Sequence, residues 1–302
     1  MKTVSCESLR LSLHEPADGF YQGTRFDRSG VFGSVSFGGI EFCAPWYERY
    51  DPFMHDAVIG PAEEFSPIFL PGSMILKIGV GLLRLPDEAP YDRFRLYEIA
   101  DSGEWSVEQT ADSVRFRHTM PGYYIYKKEV RVLSGSSFEI THEVSASEAQ
   151  LDGDVYNHNF FTLGLLSTSP GRQIDFPYQA RGDWRAQYDS VALTPQGFRF
   201  SRTLQKGESV YMGNIHAASA LAQDRPSPFG HTPYELSICE TALPGGVSSA
   251  QITPTVHVHG SVPVLRSVMW ANHRIACIEP YNAFCAIPGH PFRWTIRYDL
   301  SV

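Results

Sequence analysis

Only five of the 302 residues are cysteine (Cys6, Cys43, Cys239, Cys277 and Cys285), and no two form a CxxC pair. An odd count in a long chain argues against a disulfide framework, and the spacing against a zinc signature. Four of the five lie in apolar or strand-like stretches and read as buried, reduced thiols. Basic charge is also scarce: 25 Lys and Arg against 33 Asp and Glu give a net −8, and no run gathers the basic residues. Proteins that bind nucleic acid or anionic membranes must neutralise phosphates, so neither is an expected partner. A small, neutral or weakly charged ligand suits this balance, and one local arginine pocket would suffice for a phosphosugar. No apolar run is long enough to span a bilayer. Residues 1–13 lack a basic start followed by an apolar segment, so a cytoplasmic location is expected.

Long helical periodicity is missing too. Residues 145–151 and 216–221 have the composition of short helical turns, but no longer stretch repeats apolar residues at helical spacing. Phosphate-loop and dinucleotide spacings and the GxSxG elbow are absent, so nothing implies a nucleotide cofactor or serine hydrolase chemistry. No period of propeller or solenoid type recurs.

Strand signals fill the space left by these absences. Hydrophobic residues reach 43%, enough for a large core. Residues 123–133 (YYIYKKEVRVL) and 138–144 (FEITHEV) are rich in β-branched and aromatic types, with the SGSS between them reading as a hairpin turn. Strands are expected at 30–37, 40–43, 198–204, 234–240, 250–259, 264–270 and 292–300. The last of these alternates as strands with one wet face do, Thr295 and Arg297 interrupting its apolar set. Glycine and proline punctuate the whole length without a linker or a charge block. Many short strands separated by turns mean an all-β sandwich or barrel, read as one domain over residues 1–302.

Several constellations carry polar chemistry. Tyr156-Asn157-His158-Asn159-Phe160-Phe161 sets a histidine between two asparagines. The histidine is either satisfied by a backbone carbonyl or functional; Asn157 would donate to and accept from sugar hydroxyls. In Cys277-Ile278-Glu279-Pro280-Tyr281 a carboxylate enters an apolar strand, which requires a partner (Arg274 or Arg293) or a function. Pro280 is expected to end the ladder and leave Glu279 at a strand end facing a cleft. Glu63 and Glu64 share a Gly-Pro loop that is either a solvated turn or a sugar or cation site. Arg25 sits in an aromatic, turn-prone stretch, where it would grip hydroxyls or hold an acid. Lys77 precedes Ile78-Gly79-Val80-Gly81, read as a strand whose glycines admit a close backbone. His257 and His259 share one strand face, but no third metal ligand accompanies them. Trp270, with Asn272 on the same face, is either core or a sugar platform with a polar partner.

At these residues the chain resembles the aldose 1-epimerases, the galactose mutarotase-like proteins. That family carries an Asn-His followed by an aromatic pair at mid-chain, similar to Asn157-His158-Asn159-Phe160-Phe161. It also carries a late catalytic glutamate after an apolar strand with a cysteine, similar to Cys277-Ile278-Glu279. Ile287-Pro288-Gly289 and the stretch after it resemble the family's Pro-Gly turn and final strand. The resemblance implies a large β-supersandwich with an open cleft, a small-molecule sugar as ligand, and an isomerase without cofactor or metal. Glu279 would take the proton of the anomeric hydroxyl and His158 would protonate the ring oxygen. A cleft that holds one pyranose ring between the two would strengthen this reading, and either of them buried against a salt-bridge partner would weaken it. Arg25, Glu64, Lys77, Asn157, Trp270 and Asn272 would surround the sugar.

The chain also departs from the family. Lys77 stands where a second histidine beside a glycine is usual, Arg25 is only a candidate for the sugar-binding arginine, and an aspartate contacting hydroxyls has no counterpart. These departures point to a divergent branch. They also leave open a carbohydrate-binding sandwich without catalysis and a polysaccharide-processing enzyme using Tyr156 with Glu63 and Glu64.

Overall fold

The structure, a computed structural model, describes residues 1–164, 167–219, 230–241 and 253–302. Alternation of apolar and polar residues puts 24 strands, among the described residues, into four antiparallel sheets of four, ten, six and four strands. Among the described residues the helical content is one 3-10 turn, Pro16–Asp18, and no helix is long and apolar enough to cross a membrane. The expected strands are present: Tyr124–Ser134 and Ser137–Ala146 close through a Ser134↔Ser137 turn, and Phe292–Ser301 buries Trp294, Ile296, Tyr298 and Leu300 on one face. His257 and His259 share the exposed face of Thr255–Gly260. All five cysteines are free.

Four local expectations need correction. Residues 145–151 form no helical turn, because Ser145 and Ala146 continue the Ser137–Ala146 strand and Leu151 opens the next. His216 and Ala217 end the Ser209–Ala217 strand, while residues 220–221 of the second helical candidate, like residues 250–252 of one expected strand, lie outside the described residues. Residues 77–81 are a hairpin rather than one strand: Met74–Lys77 turns back into Gly81–Arg84, with Lys77 opposite Gly81. Glu63 and Glu64 lie in the strand Gly60–Phe65, every residue of which is buried. Neighbours in a strand point to opposite faces, so these two acids serve two different clusters.

The ten-stranded and six-stranded sheets supply the main core, with Phe65, Tyr126, Phe284 and Trp294 in edge contacts at its centre. Glu63 faces this core. It accepts from Asn157 Nδ2 at 2.9 Å and pairs with Lys128, which also reaches Asp27 at 3.4 Å. The six-stranded sheet turns its other face to a cleft of about 1190 Å³.

Candidate active site

The site follows from how three strands meet. Ala276–Ala286 pairs with Arg266–Asn272 up to Arg266↔Tyr281, and with Leu151–Phe160 from Tyr156↔Tyr281 onward. Pro280 therefore does not end the strand, as the sequence suggested. It lies one residue from the point where the ladder passes from one neighbour to the other, a place that tolerates a missing N–H. Beyond Tyr156 the Leu151–Phe160 strand pairs instead with Gly60–Phe65, His158 opposite Ala62. The Tyr156↔Tyr281 register, extended two residues, sets His158 beside Glu279 where the two backbones no longer bond. Side chains take over there: Asn159 Nδ2 donates to the Ile278 carbonyl at 3.0 Å, and His158 Nε2 lies 3.1 Å from Glu279 Oε1.

His158 and Glu279 both line the cleft, and both are nearly buried. They touch, with no ring-wide gap between them, and neither Arg274 nor Arg293 is the partner of Glu279: Arg293 pairs with Glu143 at the surface. The imidazole stacks on Phe160 at 3.6 Å and meets the edges of Phe26 and Trp270. Burial in this aromatic box lowers its pKa more than Glu279 raises it. The geometry adds a second reason, because buried Nδ1 has no hydrogen-bond partner and an imidazolium would leave an N–H there unsatisfied. Burial works against the Glu279 charge, but His158 and Arg25 outweigh it and hold the carboxyl below its ordinary value. The resting pair is thus a neutral histidine donating from Nε2 to a carboxylate.

Beside this pair lies a second buried cluster centred on Glu64. Arg25 Nε donates to Glu64 Oε2 at 2.7 Å, Tyr156 donates its hydroxyl to the same oxygen, and Lys77 Nζ and Arg93 Nε stand 3.4 and 3.5 Å from Oε1. Burial opposes the Glu64 charge, yet Lys77, Arg25 and Arg93 hold its carboxyl at about 2. Burial brings Lys77 down to about 8, with Glu64 restraining the fall.

The sequence-nominated residues divide accordingly. His158, Glu279, Arg25 and Trp270 line the cleft; Glu64, Lys77, Asn157 and Asn272 do not. Glu64 and Lys77 form the layer behind Arg25. Asn157 points to the opposite face of its strand, where it donates to Glu63 and accepts from Tyr298 at 2.8 Å. Asn272 shares the parity of Trp270, but its side-chain oxygen accepts the backbone N–H of Arg274 and Ile275 and closes the turn. Tyr156 is committed to Glu64 and Arg25, and Glu63 faces away, so the three do not form the working set of a polysaccharide enzyme.

Sequence reasoning missed Arg93, Phe94, Trp46 and Arg266, which also line the cleft. Arg93 and Phe94 stand in a charged, aromatic stretch, Tyr91-Asp92-Arg93-Phe94-Arg95, that had no strand pattern to attract notice. Arg266 opens a strand whose apolar middle drew the eye to Trp270.

A scan against protein-family models finds no match, and a search of curated proteins finds none. Solved structures do match. A putative aldose 1-epimerase from Escherichia coli K12 aligns with a TM-score of 0.56 at 13% identity, over 99% of this chain and 98% of that one. A protein from Synechocystis sp. PCC 6803 aligns at 0.56 and 15% identity, over 99% and 96%. A GalM/aldose epimerase homologue from C. elegans aligns at 0.51 and 12% identity, over 99% and 98%. At such identities the likeness is one of fold, end to end, and the chain has the galactose mutarotase-like β-sandwich fold that its resemblance to the aldose 1-epimerases implied.

Proposed function

We propose that this protein is an aldose 1-epimerase-like isomerase acting in the cytoplasm, residues 1–302 forming one domain, with Glu279 as base and His158 as acid. The supporting observation is the contact between His158 Nε2 and Glu279 Oε1, 3.1 Å, on the floor of the cleft. The anomeric hydroxyl and the ring oxygen of an aldose hang on the same carbon. An acid and a base that must reach both therefore belong side by side, and a pair separated by a whole ring could not serve them together.

In this reading C1 sits above the pair. Glu279 takes the proton of the anomeric hydroxyl, the C1–O5 bond breaks, and O5 takes a proton from Nε2 of the imidazolium form of His158. The products of this step are an open-chain aldehyde, a neutral imidazole and a carboxylic acid. Rotation about C1–C2 turns the other carbonyl face toward O5. The reverse proton transfers close the ring as the other anomer and restore the pair. Burial of His158 makes its proton easier to give, and the nearby cation Arg25 favours Glu279 as carboxylate. Trp270 and Trp46, in edge contact at 5.6 Å, offer apolar faces to the sugar.

The Lys77 departure motivated a reading as a binding module without catalysis. Lys77 lies behind Glu64, away from the cleft lining, so it does not stand in the acid's place. The test is anomer exchange, followed by NMR or polarimetry on freshly dissolved α-aldoses. Acceleration over the buffer rate that vanishes in a folded Glu279→Gln variant is expected. No acceleration across a broad aldose panel would remove the proposal.

A further inference from the structure

The cleft holds arginines with unspent donors. Arg93 reaches Glu64, Tyr156 and Tyr281 only at 3.4 to 3.5 Å, beyond the usual span of N–H···O bonds. Arg266 lies flat on the Tyr281 ring at 3.8 Å, and its carboxylate neighbour, Asp154 Oδ2, is 3.7 Å away. Both side chains keep about a third of their surface open, 37% and 33%. The buried Arg172 shows the contrast: it bonds Glu240, Phe161 O and Thr162 O at 2.7 to 3.1 Å.

The charges lining the cleft balance, Arg25, Arg93, Arg185 and Arg266 against Glu279, Asp56, Asp92 and Asp183, although the whole chain is −8. Three of these acids have their own neighbours. Asp92 accepts the Phe94 N–H, Asp183 accepts from Asn214, and Asp56 stands 3.9 Å from His55.

The placement is specific. Arg93 and Arg266 both touch Tyr281, whose hydroxyl is 3.5 Å from Glu279 Oε2. Arg93 thus meets the very hydroxyl that faces Glu279, and Arg266 the ring behind it, so both arginines stand one side chain away from the acid/base pair.

We propose that the substrate is an aldose carrying an anionic group, a carboxylate or a phosphate, which Arg93 and Arg266 receive beside Tyr281. This rests on the epimerase reading for the position of C1. The anion would convert long, unsatisfied donors into charge-assisted bonds.

The experiment compares kcat/KM for anomer exchange of glucose, glucuronate and glucose 6-phosphate by NMR, for the native chain and folded Arg266→Gln, Arg266→Lys and Arg93→Gln variants. A preference for a charged aldose of roughly tenfold or more is expected. Arg266→Gln and Arg93→Gln should erase most of that preference through KM, with partial rescue in Arg266→Lys. The better of the two charged substrates identifies the anion. Equal turnover of glucose, abolished by Glu279→Gln, would overturn this inference and leave the epimerase reading standing. Binding of glucuronate or glucose 6-phosphate that depends on both arginines, without turnover of any aldose, would leave the anion site standing and remove the epimerase reading. Neither binding nor turnover would remove both.

Discussion

His158 and Glu279 meet at 3.1 Å where the strands that carry them have ceased to pair through their backbones. Each stays in a ladder on its outer side, Glu279 opposite Val268 and His158 opposite Ala62. The interruption lies between their two strands, next to Pro280, and leaves two titratable side chains to bridge it.

The first prediction concerns pH. In the proposed mechanism turnover needs one proton on the pair, with His158 charged and Glu279 ionised, and both groups titrate below their ordinary values. The kcat/KM profile should therefore peak on the acid side of neutrality and fall about tenfold per unit once pH exceeds the His158 value, itself below about 6.5. NMR titration of the ring gives an independent check. Glu279→Gln removes the charge that raises His158, so its pKa should drop further; a rise would contradict the pairing.

The second concerns Glu64, the counter-ion of buried Arg25 and Lys77. Glu64→Gln keeps the shape and leaves two cations uncompensated. A loss of about 3–5 kcal/mol is expected in urea unfolding. Lys77 would also lose the contact that holds its pKa up, and should fall below about 8.

The third concerns acid stability. Burial pushes His142 down to about 3 and His118 to about 4, whereas both take protons near 6.5 when unfolded. The unfolded chain thus binds more protons below 6.5, and stability should fall with pH through 4 and toward 3. Asp27 acts in the opposite sense between about 6 and 3.8, because burial raises it to about 6. Two histidines against one aspartate leave the slope downward. Unfolding free energies of the native chain and His142→Gln, measured from pH 7 to 4, should converge as pH falls; parallel curves would show that His142 contributes nothing.

The fourth contrasts two glycines at positive φ. Gly79, at φ +78°, would place a Cβ 2.3 Å from Asp27 Oδ1, while Gly39, at φ +81°, faces open space. Gly39→Ala should cost only the left-handed strain, about 1–2 kcal/mol. Gly79→Ala should cost clearly more, since Asp27 is held by Ser29, Tyr126 and Lys128. Equal losses in denaturant unfolding would contradict the close approach.

The all-β class, most of its strands and the hairpin turns were legible in the chain itself, and His158 and Glu279 stood out there as candidates. These are local properties: period-2 alternation, β-branched and aromatic runs, turn residues, and a His and a Glu in unusual company. What alternation could not tell is which sheet face meets which neighbour. Asn157 beside His158, and Glu63 beside Glu64, look like parts of one site in the sequence, yet the pleat sends each pair in opposite directions. Asn272 shares the parity of Trp270 but is drawn into a turn by two backbone donors. Arg93 and Arg266 reach Tyr281 from segments far apart in the chain, which only the tertiary fold brings together. The contact between His158 and Glu279 is of the same kind: 121 positions separate them, and its short distance depends on where two ladders exchange partners, a property of strand pairing that no local stretch of residues encodes.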